Sequence, residues 1–240
     1  ANGCYWHRCA FCDVSLDYIG RYEAPDAAAL ADTLCRLKRE TGLSGFHFTD
    51  EALAPALVRK LCEALLASGE TLTWWGNVRF DAHFTPALAR LMAQAGCIAV
   101  TGGLECANDR LLKLMNKGIT LKSAADACRA FSEAGLLVHA YLMYGFPTQT
   151  RQETLDALEY VRGRFADGHL QSAYWHRFAL TAHSPIAREP SRFGLRLLPE
   201  PACACRFARN EIPYEEPGAP DHARLGQGLR RALYNYMLGL

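Results

Sequence analysis

The chain lacks any long hydrophobic run. Nothing in its 240 residues approaches the ~18 consecutive apolar residues that a spanning helix needs. Its N-terminus has none of the basic, apolar and small-residue order of a secretory signal. Charge of one sign is also missing: 26 Lys and Arg stand against 25 Asp and Glu, a formal net charge of +1. That balance leaves no global electrostatic footprint for nucleic acid or anionic lipid. The expectations are therefore no membrane partner, no nucleic acid partner and a cytoplasmic location. Because the chain starts at Ala1 and not at Met, it is read as a processed or excised piece, and the missing signal weighs little. What is present is ordinary for a globular domain, with 50% hydrophobic and 21% charged residues, enough to bury one large core. Ten cysteines are too sparse over this length, and too clustered at one end, for a secreted disulfide framework.

That cluster is the most informative feature. Cys4, Cys9 and Cys12 lie in Gly3-Cys4-Tyr5-Trp6-His7-Arg8-Cys9-Ala10-Phe11-Cys12. Thiolates this close on a short loop converge on one metal centre, and three of them leave a metal position without a protein ligand. The rival is a structural zinc site completed by His7 or by Cys203-Ala204-Cys205, which makes the chain a non-catalytic zinc-binding or interaction module.

From residue 25 helical and strand periods alternate. Ala27, Leu30, Leu34 and Leu37 fall at helical spacing before Gly42, and Gly45 to Thr49 reads as a short strand. A helix follows from Pro55 to Gly69, then a strand over 71–78, then a helix with Thr85 as N-cap and Pro86 at its first position. Cys97 to Leu104 is an apolar strand, Asn108 opens a short helix, and Leu121 to Phe131 marks another. Leu136 to Tyr144 reads as a strand, Thr150-Arg151-Gln152-Glu153 as a capping box, and Gln171 to Leu180 as the last strand. Such alternation predicts βαβ units, a parallel sheet and a closed or partly closed barrel, with active residues at the strands' C-terminal ends. Those ends carry Asp50 and Glu51, Arg79, Glu105 and Gly145-Phe146-Pro147. The division expected is a catalytic core over 1–198 and, over 199–240, a proline-rich linker with a C-terminal amphipathic helix. That helix is expected to pack on the barrel or a neighbouring domain, a membrane-surface role being the rival.

The cysteine loop, with Phe11 before its third cysteine, resembles the signature of radical S-adenosylmethionine (SAM) enzymes. Downstream, Phe46-His47-Phe48-Thr49-Asp50-Glu51, Gly102-Gly103-Leu104-Glu105, Leu111 to Gly118 and Met143 to Thr150 resemble successive blocks of one branch. That branch includes methylthiotransferases, coproporphyrinogen-oxidase-like enzymes and cobalamin-binding radical SAM proteins. The resemblance implies a partial TIM-like (β/α)6 barrel that lacks its first strand here, since only Ala1, Asn2 and Gly3 precede Cys4. It implies a [4Fe-4S] cluster on Cys4, Cys9 and Cys12, and reductive cleavage of SAM to a 5′-deoxyadenosyl radical for hydrogen abstraction or group transfer. It also implies a small-molecule substrate, an electron donor and, in a preceding part of the parent protein, a cobalamin-binding domain. One departure is the spacing: the common pattern has three residues between the first two cysteines, and here Tyr5, Trp6, His7 and Arg8 make four.

By the same resemblance Phe11 packs near the adenine, Asp50, Glu51 and Glu105 offer acceptors to SAM, and Arg79 and Lys117 are cationic partners for its carboxylate. Plainer roles stand beside these: Asp50 and Glu51 as caps of the next helix, Glu105 as a loop carboxylate, Arg79 and Lys117 as surface charges. Cys35, Cys62, Cys97, Cys106 and Cys128 read as small core residues. Trp74, Trp75, Tyr174, Trp175 and His176 lie on strands whose inward positions line a substrate cavity. His139, Tyr141 and His176 are proton or hydrogen donor candidates that the sequence does not separate from satisfied core groups.

Overall fold

The computed structural model describes residues 1–199 and 210–239. Cys203 and Cys205, weighed above as zinc ligands, lie outside the described residues. After the cysteine loop come a short α1 (Asp17–Gly20), α2 (Ala27–Thr41), β1 (Gly45–Phe48), α3 (Pro55–Ser68), β2 (Thr73–Val78) and α4 (Pro86–Gln94). They are followed by β3 (Cys97–Glu105), α5 (Asp109–Leu114), α6 (Leu121–Glu133), β4 (Leu137–Tyr144), α7 (Arg151–Ala166) and β5 (Ser172–Arg177). The chain closes with α8 (Pro185–Arg188), β6 (Arg196–Leu197), β7 (Tyr214–Glu215) and α9 (His222–Met237).

β1 to β5 form one parallel sheet in sequence order, an open partial barrel, with β6 and β7 as a separate antiparallel pair. Local chemistry sets the helix starts. Asp26, Thr85, Asn108, Thr120 and Thr150 each accept a backbone N–H in the first turn, and the Thr150–Glu153 box forms as the sequence predicts. Because side chains alternate along a strand, each strand gives one face to the helices and leaves one open. On β2, Trp74 and Val78 are buried under the helices, while Trp75 and Asn77 face the open side. Here the sequence reading needs correction: Trp74 and Trp175 are core residues, each 1% exposed, and only Trp75, Tyr174 and His176 stand on the open face. Burial of two indoles under the helices is the larger apolar gain, with Trp74 Nε1 donating to Ala95 O at 2.9 Å.

The last parallel strand is shorter than Gln171–Leu180, and the two-residue β6 and β7 carry no period that a sequence reveals. Helix α9 packs on β5 and α7: Leu229 and Leu233 are buried, Tyr236 meets the Phe165 ring at 6.2 Å, and Arg230 Nη1 donates to Tyr144 Oη at 3.1 Å. Its apolar stripe is thereby used on the barrel. Among the described residues no helix is long and apolar enough to cross a membrane. The five cysteines read as core residues are all buried.

Candidate active site

The cysteine loop is fastened at both ends to the C-terminal rim of the sheet. Cys4 bridges in parallel to Ala52, just past β1, and its N–H donates to Ile19 O at 3.1 Å. Ala10 N–H donates to Met115 O at 2.8 Å, beyond α5. Between these points Trp6 donates its indole N–H to Asn116 O at 2.7 Å, and Asn116 Nδ2 donates to Arg8 O at 2.9 Å. The Trp6 ring lies on Gly118, where a Cβ would stand 2.1 Å from it; only glycine admits that approach, at a φ of +73°. The extra loop residue has a place as well. His7 is exposed with a left-handed φ of 35°, and its Nδ1 lies 3.0 Å from Cys4 O. That contact turns His7 Nδ1 to the backbone.

Cys9 and Cys12 meet thiol to thiol. The hydrogen bond from Cys12 pulls the Cys9 thiol down to about 6; burial opposes this, and the Lys117 and Arg79 cations assist it. The contact with Cys9, then burial, push the Cys12 thiol upward. Among the described residues no three His, Cys, Asp or Glu side chains converge on one point, so Cys4 is not drawn in with the other two. The donor chemistry nonetheless fits an iron–sulfur cluster: three soft sulfurs on one nine-residue stretch, with buried cations beside two of them.

Behind the thiols lies a buried acid–base pair. Glu105 ends β3 in a left-handed conformation, φ 57°, where the β3–β4 register shifts. Its Oε1 accepts from Lys117 Nζ at 2.5 Å, with both side chains about a tenth exposed. A Cβ at Gly103 would stand 2.1 Å from that oxygen, so the Gly-Gly-Leu-Glu sequence makes room for the carboxylate. Burial lowers the Lys117 ammonium, but the Glu105 carboxylate and then Cys9 outweigh it and hold its pKa above the usual value. Lys117 Nζ also stands 5.6 Å from the Phe11 ring centroid. Arg79, 4% exposed, donates Nη2 to Lys117 O and lies over the rings of Trp6 (4.9 Å) and Tyr5 (5.8 Å). Its buried Nε has no partner among the described residues. The structure thus brings Cys9, Cys12, Phe11, Arg79, Glu105 and Lys117 together, and the surface-charge and solvated-loop readings of the last three are set aside.

Asp50 and Glu51 part company. Asp50 is largely buried at the end of β1, where its carbonyl accepts from Asn77 Nδ2 at 3.0 Å. Glu51 is exposed and outside the assembly. Neither caps the next helix, whose N-cap is Ala54 with no side-chain bond. Sequence reading missed the residues that hold the loop: Tyr5, which donates to Asp81 Oδ2 at 2.6 Å, Trp6 and Asn116. It also missed buried Asp13, which accepts from His183 N–H at 3.2 Å and Asn210 Nδ2 at 2.6 Å. The aromatics between the cysteines were the available signal for the first group; Asp13 had none. On the open sheet face His47 stacks on Trp75 with centroids 3.6 Å apart, and Tyr141 and Tyr174 flank His176 at 5.6 and 4.5 Å. His139 Nδ1 lies 2.7 Å from Ser172 Oγ, and burial, then His176, hold its pKa below the usual value.

A parallel half-barrel with a thiol loop and a buried acid–base pair on one rim is the frame of an α/β metalloenzyme core. The family model described as the radical SAM superfamily matches residues 1–161, and the chain belongs to that superfamily. It is therefore an enzyme core whose family cofactors are a [4Fe-4S] cluster and SAM. An uncharacterized methyltransferase of Pyrococcus horikoshii is 27% identical over 68% of this chain and 35% of that protein. The anaerobic magnesium-protoporphyrin IX monomethyl ester cyclase of Cereibacter sphaeroides is 28% identical over 79% of this chain and 31% of that one. The chain thus spans about a third of the length of these curated relatives. Among solved structures, the radical SAM methyltransferase TsrM of Kitasatospora setae, with cobalamin and a [4Fe-4S] cluster bound, matches at a TM-score of 0.69. It has 23% identity and covers 98% of this chain and 50% of that one, a likeness of fold.

Proposed function

We propose that this chain is the catalytic core of an enzyme that cleaves SAM at a [4Fe-4S] cluster and performs cobalamin-linked group transfer, methyl transfer first, on a small molecule. The observation that carries the reading is the junction of the Cys9–Cys12 pair with buried Glu105, Lys117 and Arg79. When bound, the cluster supplies the electron for reductive cleavage of SAM to methionine and a 5′-deoxyadenosyl radical. The chain's own residues bind, orient and exclude water. Cys4, Cys9 and Cys12 are the cluster ligands. Glu105, fixed by Lys117, accepts from the SAM ammonium, with Asp50 a second acceptor at the β1 end. Arg79 Nε, buried and without a partner among the described residues, is the donor that the SAM carboxylate requires. Phe11 packs by the adenine. The open face with Tyr141, Tyr174 and His176 receives the substrate.

Cobalamin enters on the TsrM likeness, held by another domain of the parent protein. The cyclase relative supports a second outcome, ring closure on the same substrate face. A cytoplasmic setting and an external electron donor complete the reading. Anaerobic reconstitution with iron and sulfide, reduction and addition of SAM tests the reading beside a Cys9→Ala control. 5′-Deoxyadenosine or S-adenosylhomocysteine released only by the intact trio is the expected result. A loaded cluster that yields neither, or zinc bound in place of iron, refutes it.

A further inference from the structure

Two of the rings on the open sheet face are stacked. His47 of β1 and Trp75 of β2 are register partners, and their rings lie face to face, 3.6 Å apart and 3° from parallel. Rings on neighbouring strands that meet this way share a normal running across the strands, here from β1 towards β3. The second face of the Trp75 indole therefore looks over Ala99 of β3 to Leu137 of β4, the next two residues of the same row. No other aromatic ring meets that face among the described residues, and Trp75 is 37% exposed.

The width of this row limits what can enter it. β2 and β4 are two strand spacings apart, about 9.6 Å. A ring stacked on Trp75 takes up the 3.6 Å that His47 takes on the other side. The exposed Leu137 then needs a contact of about 4 Å to that ring. One ring with that contact fits the space, and two rings do not. Ala99 provides the floor, because a larger side chain in mid-row would fill the slot itself. Towards the rim the same side of β3 carries only Thr101 and Gly103 before the Glu105–Lys117 pair, so the slot and the proposed SAM site share one trough. Below that pair no Asp, Glu, Lys or Arg stands on the open side of β1 to β5. An ionised group in the slot would lose water and meet no counter-charge.

We infer that the slot between Trp75 and Leu137 holds a small-molecule substrate by a flat, uncharged aromatic ring, stacked on Trp75 as His47 is on its other face. The inference rests on the reading of the open face as the substrate side of a SAM-cleaving core, and it adds the chemical class of the substrate. Trp75 supplies the stacking surface, His47 fixes the plane of the indole, and Ala99 admits the ring.

The probes are quinoline, a flat bicyclic ring that is uncharged above neutral pH, and adamantanol, an uncharged cage of similar carbon content that is too thick for the slot. Ligand-observed NMR titration of the full chain should show quinoline bound and adamantanol not. Trp75→Leu, which keeps apolar bulk without a π face, should weaken quinoline binding roughly tenfold. Trp75→Phe should restore most of that loss, and Ala99→Leu should abolish binding with the far-UV spectrum unchanged. Equal quinoline binding by wild type and Trp75→Leu, adamantanol bound as well as quinoline, no quinoline bound by the wild type, or displacement of quinoline by a single-stranded RNA oligonucleotide overturns the inference. The titration needs neither cluster nor SAM, so a loaded chain that fails to cleave SAM counts against the functional reading alone.

Discussion

Lys117→Met separates the buried pair from every other feature of the site. Glu105 and Lys117 meet at 2.5 Å with side chains 9% and 10% exposed, so removing the ammonium leaves a carboxylate buried without its partner. Loss of one member of such a pair costs about 3–5 kcal/mol. For a chain of this size each kcal/mol moves the melting temperature by roughly 2–4 °C, which predicts a fall of about 10 °C or somewhat more. Replacing both, Glu105→Leu with Lys117→Met, removes the unpaired charge, and most of the stability should return, because well-packed apolar pairs match buried ion pairs. The pH dependence has a definite sign. Since the Lys117 pKa lies above the ordinary lysine value of about 10.5, the pair's contribution is complete below that value and is lost only as pH rises through the folded-state pKa. The gap between wild type and Lys117→Met should therefore stay flat from neutral pH to about pH 10. Thermal and urea unfolding of the four proteins of the cycle measures this. A Lys117→Met loss below about 1 kcal/mol, or a double variant as unstable as the two single losses added, refutes the reasoning.

Gly118→Ala places a methyl 2.1 Å from the Trp6 ring at a φ of +73°, so the indole must move and the cysteine loop with it. Iron bound after reconstitution should fall while far-UV circular dichroism is unchanged; full iron content in a folded variant rules the clamp out. Gln149→Leu removes the acceptor for Gly145 N–H (2.8 Å), Phe146 N–H (3.3 Å) and the Cys106 thiol (3.7 Å) in a buried turn. Orphaned donors there should cost about 2 kcal/mol in urea unfolding, and a neutral result means water replaces the amide. His222, buried against Gly145, has its pKa lowered by burial despite Glu216. Its neutral form is preferred in the fold, so its contribution is complete above the unfolded value of about 6.5 and is lost as pH falls through the folded-state pKa. Melting temperature should drop between about pH 7.5 and 5.5, and less so in His222→Gln; parallel pH profiles exclude His222 as the cause.

The alternation of periods was legible because helices and strands here are long enough to repeat, as with Leu57, Leu61 and Leu65 on α3 or the caps Thr85 and Thr150. Glu105 and Lys117 were legible as residues but not as a pair. Their contact depends on a left-handed Glu105 and a bulge in β3, which obey no period. Assigning Trp74 and Trp75 to one cavity failed for a related reason: consecutive strand residues face opposite ways, and which one is inward depends on the helices above. Arg79 shows the limit from the other side. A cation at a strand end reads as a ligand candidate, but its bond to Lys117 O and its seat over Trp6 come from residues distant in sequence.

The irregular cysteine spacing has a physical account with a consequence. Trp6 and Arg8 are both tied to Asn116, one through the indole N–H and one through the backbone carbonyl, and His7 lies between those ties, exposed and left-handed. Histidine tolerates that conformation at modest cost, and its Nδ1 contact to Cys4 O is an exposed hydrogen bond worth on the order of 0.5 kcal/mol. Neither tie needs His7. Deleting it brings the loop to three residues between Cys4 and Cys9 and shortens the path by one Cα step, ~3.8 Å, which an exposed bulge can give up. Trp6→Ala instead removes the indole bond, the contact with Gly118 and the ring under Arg79. The deletion should therefore bind as much iron as wild type, and Trp6→Ala should bind less, measured as iron and sulfide per chain after reconstitution. The reverse order would mean that the four-residue spacing itself sets the geometry of the thiols, and that the ties to Asn116 merely follow it.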